Sequence, residues 1–196
     1  MSRVINYLYN MIFVHLFACS STSAVSSLYV SGGKWEILPS VETLRTSMQL
    51  EGLGGSFVWD DRMFVYCLSN CVGQITWPSN QLILDSNQAV VNIHSFKDLT
   101  IRSQTTNLMI YNSVDVDVHA LYGDVWVDAP LDARISIFSH HSDVDVNLPK
   151  SDWAVALQGT SVYSQVESVL DSKQILQVYG VDSKVQVVEF SAIGEK

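Results

Sequence analysis

The chain has 196 residues, of which 47% are hydrophobic and 16% charged. That is apolar enough to bury one substantial core, and it excludes an intrinsically disordered chain. The formal net charge of −9 repels phosphate backbones and anionic headgroups, which excludes nucleic acid as a partner and makes surface charge an unsuitable membrane anchor.

The first element in chain order is an export signal. Arg3 is the only charge before Cys19, and residues 4–18 are mostly apolar, interrupted by Asn6, Asn10 and His15. The stretch falls short of the roughly 20 apolar residues that a transmembrane helix needs. A positive start, an apolar middle and small residues after it predict a signal peptide over residues 1–18. Leu16-Phe17-Ala18-Cys19 resembles the lipobox of bacterial lipoproteins, in which a cysteine after a small residue is lipidated and becomes the mature N-terminus. The resemblance implies lipidation of Cys19, with the Ser-rich residues 19–27 as a flexible tether. The alternative is an ordinary cleaved signal, cut after Ala24. Both place the protein outside the cytoplasm: as an outer-membrane or cell-surface lipoprotein in the first case, periplasmic or secreted in the second.

The chain holds three cysteines, Cys19, Cys67 and Cys71. An odd count in an exported protein leaves one thiol to explain, and lipidation of Cys19 removes it. Cys67 and Cys71 are then expected to close a small disulfide loop; the alternative is two buried free thiols. Two cysteines without further Cys or His neighbours make a poor zinc site.

Residues 28–80 hold Gly-rich turns, three of the five tryptophans and both of these cysteines. They are expected to form an irregular N-terminal cap or first coils. Within them, Ser40 to Leu50 is the one stretch compatible with a helical turn or two, or with another strand. From residue 81 to 191 the chain alternates with period two and is rich in Val, Ile and Tyr, the signature of strands. A small residue followed by polar, apolar, any and apolar recurs at Gly123-Asp124-Val125-Trp126-Val127 and Ser142-Asp143-Val144-Asp145-Val146, and more weakly from Ser164 and Ser183. Another strand sits between successive copies, at Ile135 to Phe138, Ala154 to Leu157 and Ile175 to Val178. Each unit is thus two strands and two turns over roughly 20 residues, a period that points to stacked units. Stacking brings Val125, Val127, Val144 and Val146 into one interior and turns Asp124, Asp143 and Asp145 outward. Gly123, Ser142, Gly159 and Gly180 are expected in turns, and Pro130 and Pro149 at strand ends. The predicted fold is all-β, short strands stacked into a β-solenoid over 81–191; the alternative is an antiparallel β-sandwich.

Over residues 99–190 these units resemble the "putative adhesin" family of bacterial envelope proteins, through Gly123-Asp124-Val125 and Ser142-Asp143-Val144. The resemblance implies an extracellular or periplasmic repeat domain. It supplies no catalytic residues.

Catalytic motifs are missing: there is no G-x-S-x-G elbow, phosphate loop or zinc-protease helix. No enzyme, cofactor or metal is therefore expected. Asp115, Asp117, Asp143 and Asp145 alternate on strands, but residues two apart lie about 7 Å from each other, too far for such a pair alone to grip calcium. These carboxylates are also the candidates if the chain is instead a polysaccharide-active enzyme. His140 and His141 meet in one site only if a turn intervenes, since neighbours on a strand face opposite ways. Trp126 lies between two inward valines and is expected to face outward, as a possible contact for a glycan or an envelope protein. The expected partners are thus the membrane, through the lipid anchor, and a glycan or envelope protein. Replacing Cys19 by serine is expected to move the protein from the membrane to the soluble fraction; unchanged fractionation would rule out the anchor.

Overall fold

The computed structural model describes residues 25–40 and 45–190. The leader, Cys19 and residues 41–44 lie outside them. Among the described residues all regular elements are strands: β1 (Ser27–Ser31), β2 (Lys34–Pro39), β3 (Ser47–Trp59), β4 (Arg62–Trp77), β5 (Gln81–Asn87), β6 (Val90–His94), β7 (Asp98–Gln104), β8 (Asn107–Tyr111), β9 (Asp115–Leu121), β10 (Val125–Asp128), β11 (Arg134–His140), β12 (Val144–Pro149), β13 (Trp153–Gln158), β14 (Ser161–Ser164), β15 (Gln174–Val181) and β16 (Lys184–Phe190). The end of the Ser40–Leu50 segment, from Ser47, is strand and belongs to β3.

All strands join one sheet, in the order β13-β15-β11-β9-β7-β5-β1-β4-β2-β6-β8-β10-β12-β16-β14, with β3 on β4. Every pairing is parallel apart from the β3–β4 hairpin. The antiparallel sandwich is therefore not formed. The long β4 is the link between two limbs. Its first residues pair with β1 and its last with β2, and the odd-numbered strands run from one side, the even-numbered from the other. Alternation drives this arrangement. In β9 Val116, Val118 and Ala120 are buried and Asp115, Asp117 and His119 exposed; in β10 Val125 and Val127 are buried. Buried residues of both limbs form one apolar cluster.

Register aligns like with like. Leu28, Leu84, Ile101, Val118, Ile137 and Val178 form one interior row of the first limb. Trp35, Val91, Leu108, Val125, Val144 and Val185 form the matching row of the second. Such rows lie about 4.8 Å apart, within van der Waals reach of one another. Next to the corner after each odd strand the interior row is small: Ser86, Ser103, Ala120, Ser139 and Gly180. Gly180 is thus inside β15, not in a turn, and Pro149 is the last residue of β12.

The corners explain the small residue that opens each repeat. A left-handed residue turns the chain there: Gln88, Thr105, Tyr122, His141 and Asp182 all have φ between 50° and 58°. Their amides donate to the next unit, Tyr122 N to His140 O at 3.0 Å and His141 N to Val181 O at 3.0 Å. The following residue, Thr106, Ser142 or Ser183, is buried and bonds back to the carbonyl two residues earlier. The Ser142 hydroxyl also accepts from the Gly123 amide at 3.2 Å, and that of Ser183 from the Ser142 amide at 3.2 Å. These hydroxyls satisfy corner amides that would otherwise be buried without a partner.

Two details of the repeat differ from the sequence expectation. Val91, Leu108, Val125 and Val144 are in register at spacings of 17, 17 and 19 residues, so the repeat runs through residues 90–110 as well. The last units are also out of chain order. Strands β15 and β16 insert between β11–β12 and β13–β14, which places Val185 on Val144, 41 residues away. Ser164 pairs with Val187, and the residue equivalent to Ser183 is Thr160, whose amide donates to Ser183 O at 2.9 Å. The burial pattern supplies the reason. Strand β14 is exposed along its length, whereas β15 and β16 bury Leu176, Val178, Val185 and Val187. The unit with the poorer interior face lies at the end.

A Cβ on Gly123 would collide with the backbone carbonyl of Thr106 in the neighbouring unit. Gly123→Ala is expected to destabilise the fold by about 1–3 kcal/mol, seen as a lower urea midpoint with an unchanged m-value.

Candidate ligand-binding face

The outer side of the second limb carries the aromatic residue that the sequence singles out. Parallel register stacks Asn92, Met109, Trp126, Asp145 and Gln186 in one outward row, and His94, Tyr111, Asp128 and Asn147 in the next. Trp126 is half-buried between inward Val125 and Val127. It meets Tyr111 edge-on at 5.2 Å, and Tyr111 stacks on His94 at 4.7 Å with an interplanar angle of 11°. The three rings come from three successive units and form one continuous surface.

Polar groups border the rings. His94 Nε2 lies 3.6 Å from a carboxylate oxygen of Glu36. The Asn147 amide donates to Asp128 Oδ1 at 2.6 Å. Along the neighbouring row, the Asp124 amide donates to Asn107 Oδ1 at 3.2 Å and the Asp143 amide to Asp124 Oδ1 at 3.3 Å. Lys184 Nζ lies 3.9 Å from Asp143. Burial, and then the charges of Asp143 and Asp124, hold the Asp145 carboxyl above its ordinary value of 3.8. Burial, then Asp128, likewise raises the Tyr111 hydroxyl. An open depression of about 620 Å³ adjoins this face at its N-terminal end, lined by residues that include Lys34, Asn70, Val72 and Asn107.

That depression ends at the remaining sequence-predicted pair. Cys67 and Cys71 are disulfide-bonded, with Cα atoms 5.6 Å apart. They sit where β4 leaves β1, after Tyr66, and joins β2, at Val72. The bridge clamps that crossing, and Gly33 packs so closely on it that a Cβ there would lie 3.2 Å from both cysteine Cβ atoms. Its position is structural. Cys19 lies outside the described residues.

Sequence reasoning missed Tyr111 and His94. Both are the outward member of an alternating strand end, but their relation to Trp126 depends on a 17-residue register that no local motif displays. A second aromatic row escaped for the same reason. On the first limb, His119, Phe138 and Tyr179 are neighbours, with Phe138 and Tyr179 stacked at 5.4 Å and 13°.

The expected carboxylate ladder is discontinuous. Asp115 pairs with Asp98 on one side and Arg134 on the other, and Asp117 lies between Thr100 and Ser136.

No family model and no curated protein matches the chain. Among solved structures it is similar to a "putative cell adhesion protein" from Clostridium sporogenes, with 12% identity and a TM-score of 0.42, covering 86% of this chain and 94% of that one.

A carboxyl whose folded pKa is raised binds more protons folded than unfolded above its ordinary value, so stability falls as pH rises through the folded pKa. Asp145→Asn is expected to raise the melting midpoint at pH 7 by on the order of 1 °C, since the site is largely solvated. The gain should vanish near pH 3, about where Asp145 is already protonated. Thermal melts at the two pH values check this.

Proposed function

We propose that the protein is an exported, lipid-anchored bacterial envelope protein, built as a β-solenoid, with an adhesin-like and non-catalytic role. In this reading the rigid stack presents the His94–Tyr111–Trp126 face to a glycan. The observation that carries it is the run of three ring systems on successive units, bordered by Glu36, Asp128, Asp145 and Asn147. Aromatic faces supply large contact area at low entropic cost, and carboxylates and carboxamides orient hydroxyl groups. Carboxylates around the rings favour a neutral or cationic saccharide and disfavour a polyanionic one.

The leader, the lipobox-like Leu16-Phe17-Ala18-Cys19 and the Gly/Ser-Asp-Val units support export and the adhesin-like assignment. A non-catalytic role is supported by the placement of Asp98, Asp115 and Asp117. They lie side by side on one face of one sheet, whereas glycoside hydrolysis needs two carboxylates flanking the scissile bond.

A glycan array tests the proposal. Wild type should bind a neutral or amino-sugar glycan, and Trp126→Ala should weaken that binding about tenfold or more with unchanged far-UV dichroism. Tyr179→Ala, on the other limb, should leave it unchanged. Loss of binding in Tyr179→Ala but not Trp126→Ala would move the site to the first limb. Failure of wild type to bind any saccharide would leave the structural role alone.

A further inference from the structure

We propose that the corner shared by the β11–β12 and β15–β16 units is a divalent transition-metal site, with His140, His141 and Asp182 as ligands. On a continuous strand two adjacent histidines would face opposite ways. Strand β11 ends at His140, however, and His141 has φ 52°. The left-handed turn brings the two imidazoles to the same side, with ring centroids 4.1 Å apart at 83°. The stacked unit supplies the third group. His140 is in register with Val181, so the next residues, His141 and Asp182, occupy equivalent corner positions. Asp182 is left-handed too, with φ 50°. Its Oδ2 lies 3.9 Å from His141 Nδ1, and one ligand atom from each of the three residues falls within 4.8 Å of the others.

The geometry suits a small, four-coordinate ion. Ligand atoms 2.0–2.1 Å from tetrahedral zinc are about 3.3 Å apart, so closing the site needs roughly 1 Å of movement. His141 and Asp182 are exposed and free to make it. Tyr122 flanks the site from the preceding unit. It stacks on His141 at 5.3 Å and 16°, and lies edge-on to His140 at 6.1 Å. Two imidazoles with one carboxylate select zinc, copper or nickel over calcium and magnesium, which prefer oxygen ligands. A fourth position remains for water or a ligand from outside. The site would also do structural work. Its ligands come from units 41 residues apart in sequence, so a bound ion fastens β15–β16 into its place inside the stack.

The test uses untagged full-length protein stripped with a chelator. Calorimetric titration with zinc should give one site. Free zinc at 100-fold its Kd should raise the melting midpoint by ~5–10 °C, while calcium should not. Copper bound in its place should show hyperfine coupling to two imidazole nitrogens. His141→Asn, chosen because asparagine tolerates the left-handed turn, and Asp182→Asn should each weaken zinc binding about tenfold or more. His119→Ala, an exposed histidine on the first limb, should not. Coupling to a single nitrogen, zinc affinity unchanged in His141→Asn, or no saturable binding would each overturn the proposal.

Discussion

The structure depends on a backbone ladder that does not stop at the corners. A stack of two-strand units must turn the chain twice in each unit, and at every turn the amides lose their strand geometry. Buried without partners, each would cost about 1–3 kcal/mol. The left-handed residue at the first corner reverses the chain while its amide still reaches the next unit, as in Tyr122 to His140 and His141 to Val181. The small hydroxyl residue beside it then serves the adjacent amide, as Ser142 does for Gly123 and Ser183 for Ser142. With corners satisfied, units can stack in register, and only then do the valine and leucine rows meet.

That constraint divides the residues by task. Inward positions must be apolar in every unit and carry little individuality. Corner interiors must be small. What remains free to vary is the outward residue of each strand and the left-handed corner residue itself. Those are where the chain places its rings and charges: Tyr111, Trp126, Phe138 and Tyr179 on the limbs, Tyr122, His141 and Asp182 at the corner. Register then converts single outward residues into surfaces, because each sits beside its counterpart in the next unit.

The ends of the stack follow a related rule. Open ends expose unpaired strand edges and apolar interior. At both ends the outermost described strands come from within the chain. Strands β3 and β4 lie beyond β1 and β2, and β13 and β14 lie beyond β15 and β16. The first end is clamped by the Cys67–Cys71 bridge. At the other, Trp153 is fully buried, with its indole nitrogen donating to Pro149 O at 3.1 Å.

Much of this is legible in the order of the residues alone. Alternation in DVDVHA and RISIFSH is a local property of a pleated strand, so it determines which side chains face inward, including the outward placement of Trp126 between two valines. The Gly/Ser-Asp-Val units mark real corners at Gly123, Ser142 and Ser183. The copies at Ala89 and Thr106 escape such a motif because the corner needs only a small residue and an apolar successor two positions on, and Asn or Val satisfies the position where the motif has Asp. What the sequence could not determine is which unit lies beside which. Units with the same alternation are nearly interchangeable as neighbours, so their order is decided by which one can spare its interior face at an end, a comparison over the whole stack. The Trp126 face and the His140–His141–Asp182 corner are both products of that order. The sequence alone determined that these side chains point outward, and only the tertiary structure decided which of them meet.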